Sequence, residues 1–144
     1  MKCTVVIDPH NDEEVIVHAH SETELTRQIR SLCEQRSSKL IGYQDREATL
    51  LTASNICCFV VEHNHVFAIC PTERYDMKCR LYELETRLPA HFLKINQSCI
   101  ANMQHIKRFD ASLAGSLRVI FSNGYTDFVS RRQLKAIKER FGLT

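Results

Sequence analysis

The chain has 144 residues, which fits one domain or two small ones and is enough to bury a real core. With 44% hydrophobic and 25% charged residues it has the composition of an ordinary globular protein, and no run approaches the roughly 18 apolar residues that span a bilayer. The net charge of +2 divides unevenly: residues 1–71 carry six Lys/Arg against ten Asp/Glu, residues 72–144 thirteen against seven. A basic C-terminal half is what a polyanionic partner needs.

In chain order, residues 3–8 (CTVVID) and 14–18 (EVIVH) have strand composition and are joined by the turn-rich Pro9–Asp12. The apolar run at the start is too short, and too soon acidic, for a secretory signal, so a cytoplasmic protein is expected. Ser21 with Glu24 three residues on reads as a capping box, opening a helix through about Arg36 with Leu25, Ile29, Leu32 and Cys33 on one stripe. Residues 1–45 are thus expected to form a small β-β-α unit, with Ser37, Ser38 and Gly42 marking the passage to a second part, 46–144. Such a unit is too small to be stable alone. It could contact a partner, dimerise, or cover a sheet edge.

From Lys39 the pattern is mostly short strands: KLIGY, REATLLT, CCFVV and VFAIC, with His63–Asn64 turning between the last two. Residues 79–88 change period, placing Leu81, Leu84 and Leu88 on one helical face ahead of Pro89. The segment FLKINQSCIAN (92–102) follows, then HIKRF, SLRVIFS and TDFVS, with Asn123–Gly124 as a tight-hairpin signal. A last helix is expected over Arg131–Phe141, with Leu134, Ile137 and Phe141 inward.

Seven cysteines without an export signal read as reduced thiols in a core, Cys99 being the most exposed candidate because polar residues adjoin it. His18/His20 and His63/His65 could each present two imidazoles on a strand face, yet neither pair has a third ligand at a known spacing. Solvated turn histidines are the alternative. No Gly-rich phosphate loop and no Gly-x-Ser-x-Gly elbow occurs, so the residues point away from an enzyme and from any cofactor. No basic zipper and no aromatic RNA-binding signature is present either, and no pair of adjacent helices suggests a helix-turn-helix.

Arg131 and Arg132 stand in the first turn of the last helix, where cations oppose the helix dipole. An anion docking at that helix start would explain them. The alternatives are extension into solvent or pairing with Asp127.

In order along the chain, Ile56–Phe59, RLYELETRLP, FLKINQSCIANMQHIKRF, the SNG turn and VSRRQLKAIKERF resemble the LytTR DNA-binding domain of bacterial response regulators, from about Glu47 to Phe141. The resemblance implies an α+β fold, mostly antiparallel β with short helices, that inserts loop side chains into successive major grooves. It implies double-stranded DNA as the partner, in direct repeats, and a transcriptional regulator. Carried over by position, the DNA-facing places fall on His63, Asn64 and His65, on Lys94, Asn96, Gln97 and Ser98, and on Arg131 and Arg132. Arg can grip guanine O6 and N7 together, and Asn or Gln adenine N6 and N7, while Lys94 and Ser98 suit phosphates. Asn102 reads as a structural hydrogen-bond hub.

Val60 stands where family members often carry Glu, and Gln97 where a basic residue is common. Residues 1–45 cannot hold a receiver domain, so the chain resembles the short stand-alone LytTR regulators, some of which are restrained by a small membrane protein. The alternative reading, from a different class, is a protein-interaction module or anti-regulator on the same scaffold that has lost DNA binding. A thiol or metal sensor using Cys99 or the paired histidines is a third.

Overall fold

Apolar runs of five residues, rich in Val, Ile and Phe, fit a pleated surface but are too short for a helix, and most of the chain folds accordingly. The computed structural model describes residues 1–11, 14–37, 39–111 and 115–143. A helix, α1 (Glu24–Ser37), leads to β1 (Leu40–Gln44), β2 (Glu47–Leu51), β3 (Cys58–Glu62), β4 (His65–Ile69) and β5 (Arg74–Asp76). After a short helix, α2 (Leu81–Glu85), come β6 (Phe92–Asn96), β7 (Cys99–Asn102), β8 (Ile106–Ala111), β9 (Leu117–Phe121), β10 (Thr126–Val129) and α3 (Arg131–Phe141). The fold is α+β and mostly antiparallel β.

Seven strands form one sheet in the order β2-β1-β5-β4-β3-β7-β6, and three form a second in the order β10-β9-β8. Strand alternation separates two cores on the two faces of the larger sheet. Cys58 and Val60 of β3 and Cys99 and Ala101 of β7 face the smaller sheet and α3, meeting Val119, Phe121 and Ile137. Phe59 and Ile100 point the other way, onto Leu81 and Leu84 of α2. There the Phe59 and Phe92 rings lie 5.8 Å apart. On the α3 side, Phe109 and Phe141 meet edge to face at 4.8 Å. The helix ends where Gly142 takes a left-handed φ of 66° and the Leu143 N–H donates to the Lys138 carbonyl at 2.8 Å.

Several expectations are corrected. Residues 3–8 and 14–18 form no ladder; the described backbone there makes one turn bond, from Asn11 N–H to the Asp8 carbonyl at 3.4 Å. Asp12 and Ser38 lie outside the described residues. A lone hairpin is marginal in water, and here neither segment has a sheet to join. The α1 cap is Thr23 rather than Ser21: its hydroxyl accepts the Thr26 N–H at 3.3 Å, and the Thr26 hydroxyl accepts the Thr23 N–H at 2.8 Å. Gly42 is not a boundary but lies inside β1, where an added Cβ would sit 2.6 Å from Tyr75 Cβ. The second helix is shorter than expected, Leu81–Glu85, with Leu88 just beyond it.

The tight two-residue hairpin belongs to His63 (φ 51°) and Asn64 (φ 64°), between the paired Glu62 and His65. At Asn123–Gly124 the loop is wider, closed by Phe121 N–H to the Tyr125 carbonyl at 2.8 Å. There Gly124 supplies a φ of 89° and Asn123 donates across to the Cys70 carbonyl at 3.2 Å. Among the described residues, no helix is long and apolar enough to cross a membrane.

Candidate nucleic-acid interface

β3 and β7 run antiparallel with Val60 opposite Cys99, and the Val61 N–H donates to the Ser98 carbonyl at 2.9 Å. The end of β3 therefore lies beside the start of β7. This puts the His63–Asn64 turn and the Gln97–Ser98 turn at one end of the larger sheet. β6 continues the same edge, and the Ser130 N–H donates to the Ile95 carbonyl at 2.9 Å, anchoring the start of α3 there. Three segments far apart in sequence thus converge.

The bracket that holds them is Asn96. Its amide donates to Asp127 Oδ1 at 3.0 Å and to the Phe128 carbonyl at 2.7 Å, while its Oδ1 accepts the Ser98 N–H at 2.8 Å. A register shift between Lys94 and Asn96 marks a bulge that turns the strand end toward β10. Asp127 Oδ1 also accepts the Phe128 N–H at 2.8 Å. A second buried amide does similar work at the other end of β7. Asn102, fully buried, donates to the Ile56 carbonyl at 2.9 Å and accepts the Gln104 N–H at 3.0 Å.

Of the nine residues expected to face DNA, seven are exposed at this end: His63, Asn64, His65, Gln97, Ser98, Arg131 and Arg132. His65 Nδ1 lies 3.5 Å from Asp76 Oδ2. Asn96 is 5% exposed and its amide is committed internally, so it shapes the turn rather than reaching outward. Lys94 is half-buried and reaches sideways, its ammonium 3.4 Å from Glu85 on α2. The first turn of α3 has no acidic residue, and Ser130 makes no side-chain cap. Among the described ion pairs neither Arg131 nor Arg132 takes part, so pairing with Asp127 is not what holds them.

One neighbour escaped the sequence reading. Phe128, 59% exposed on β10, stands opposite Arg118 and two residues before Ser130. The alternation of TDFV carries that signal: Val129 faces the core, so Phe128 faces out.

The cysteines divide by depth. Cys57, Cys58 and Cys99 are fully buried, while Cys3 and Cys33 are exposed. Cys99 is therefore not the accessible thiol expected from its polar neighbours: its strand points it into the core. A hydrogen bond with Cys58, together with burial, holds it protonated well above the usual thiol range.

The LytTr DNA-binding domain family matches residues 46–142. The chain belongs to the LytTR family. An uncharacterized HTH-type transcriptional regulator of Staphylococcus aureus strain NCTC 8325 is 32% identical over 146 residues, covering 99% of both chains. A counterpart from the bovine strain RF122 of that species is likewise 32% identical, again over 99% of each chain. The fold is that of the LytTr DNA-binding domain of a putative methyl-accepting/DNA response regulator from Bacillus cereus. That structure superposes with a TM-score of 0.69 at 19% identity, over 74% of this chain and 98% of its own. The staphylococcal names speak of a helix-turn-helix, whereas in this LytTR chain α2 and α3 are separated by five strands.

Proposed function

We propose that this LytTR protein is a cytoplasmic transcriptional regulator that binds double-stranded DNA sequence-specifically, at direct repeats, by placing loop side chains in the major groove. The observation that carries the reading is the convergence of two exposed turns and the start of α3 at one sheet end, held there by the buried amide of Asn96. A helix start offers unpaired N–H groups and a positive dipole end, so a phosphate can dock beside Ser130. Arg131 and Arg132 then add charge where the dipole already favours an anion. One arginine can take guanine edges while the other holds the backbone.

Gln97, at the tip of its turn, has the donor-acceptor pair that reads adenine, and Ser98 suits a phosphate oxygen. His63, Asn64 and His65 serve the neighbouring groove segment from a rigid two-residue turn, which limits the ordering lost on binding. Lys94 contributes at the flank, as a phosphate contact in place of Glu85. Phe128 offers an apolar face suited to a thymine methyl. The protein works by affinity alone, with no chemistry asked of it.

Selection from a random duplex pool, at low and at physiological salt, tests this. Enrichment of a repeated motif at both salts is the expected result. Binding without any enriched sequence would reduce the site to a basic face, and an absence of binding would favour an interaction module on this scaffold.

A further inference from the structure

Exposed apolar side chains are concentrated in one stretch of the chain. Among the described residues, nine of the thirteen large hydrophobics left exposed lie within residues 1–37, about a quarter of the chain. Scattered singly they would need no explanation; grouped, they mark a surface that something covers. Part of the set is already shared: Val15 and Val17 line one hollow with Ile29 and Cys33 of α1. The first segment has no such cover. Val5, Val6 and Ile7 are 78%, 79% and 87% exposed, and no ladder bond satisfies their backbone.

The charge pattern of that segment is self-complementary. Set antiparallel to a second copy with Val5 on the two-fold axis, Thr4 faces Val6, Cys3 faces Ile7, and Lys2 faces Asp8. Every pair occurs twice, and both charged pairs are opposite in sign. Shifting the register by one residue would set Lys2 against Ile7 or Asp8 against Cys3. The second segment behaves alike: centred on Ile16, Val15 faces Val17 and Glu14 faces His18. Opposite charges directly across a strand pair stabilise it, and like charges oppose it.

We propose that residues 1–37 are a homodimerisation module in which the 3–8 segments of two copies pair antiparallel about Val5. The interface is isologous, the same patch meeting itself. It gives each segment the ladder partner that it lacks among the described residues. It also lets residues 1–37 bury apolar surface that so short a stretch could not stabilise alone. The inference does not depend on which side chains read DNA. It joins two binding domains, so that a second half-site is met at high effective concentration. A two-fold pair meets inverted half-sites directly, and direct repeats only where one domain turns about its connection to the module.

The test uses the full chain and sedimentation equilibrium. The wild-type protein should sediment as a dimer. Val5→Lys, which sets two ammonium groups on the axis at an already exposed position, should yield monomer in which the LytTR domain keeps its own melting transition. Lys2→Asp and Asp8→Lys should each weaken the dimer about 3- to 10-fold, since each turns two attractive pairs repulsive. Mixed in equal amounts, these two variants should recover it, because the heterodimer restores opposite charges at both ends.

A wild-type monomer at every loading concentration would overturn the proposal. So would a dimer indifferent to Val5→Lys, or a mixture that associates no better than its components. Affinity for a single half-site reports on the DNA reading separately: Val5→Lys should leave it unchanged, whatever the oligomeric result.

Discussion

Arg132 shows how far a single side chain could be understood from sequence. Its type, its place in a helix's first turn and the dipole it opposes were all legible, and the structure adds an exposed residue that takes part in none of the ion pairs among the described residues. Arg132→Ala should lose about 1–3 kcal/mol of binding to a selected site, measured by titration of labelled duplex, with an unchanged melting temperature. Asn96 was read from sequence as a DNA-facing loop residue, whereas it is buried with its amide bonded inside the fold. Its burial depends on Asp127 and Phe128, more than thirty positions on, and no local pattern announces that. Asn102→Ala should strand the Ile56 carbonyl and cost about 1–3 kcal/mol of stability, read as a lowered midpoint in urea.

The same scale governs titration. Burial holds Cys70 up to about 11 and Tyr125 up to about 12, above their ordinary 9.0 and 10.0. Folded values above unfolded ones mean stability that is complete below pH 9 and lost as pH rises through about 11 and 12. The urea midpoint should fall across that window, and Cys70→Ala should remove part of the slope above pH 9.

At the scale of elements, alternation made most strands readable, because each of β3, β4, β6, β7 and β9 buries at least one apolar face. β5, three residues long, gives no period to detect. The N-terminal segments mislead for the opposite reason: their pattern is that of strands, yet a pattern specifies a strand only where a partner edge exists. Gly42 was read as punctuation since its reason is tertiary, the closeness of Tyr75 across from β1. Gly42→Ala should drive β1 off β5, costing about 1–3 kcal/mol by overpacking, and a thermal melt would register it.

At the scale of the molecule, the uneven charge distribution and the two-sided sheet belong to one design. The acidic first half keeps the net charge low, while thirteen of nineteen Lys/Arg lie beyond residue 71, the part that carries the β6–β7 turn and α3. Affinity should therefore fall with salt at a slope of about 0.9 per phosphate contact, and Arg131→Ala should reduce that slope by about one contact.

The proposed regulator reads sequence at the converged sheet end. The measurement that tests it most directly is binding of wild-type, Gln97→Ala and Arg132→Ala proteins to a selected duplex and to each of its single-base-pair variants. Each substitution should erase discrimination at one or two defined base pairs and leave the others intact. Equal discrimination by all three proteins at every position would contradict the account.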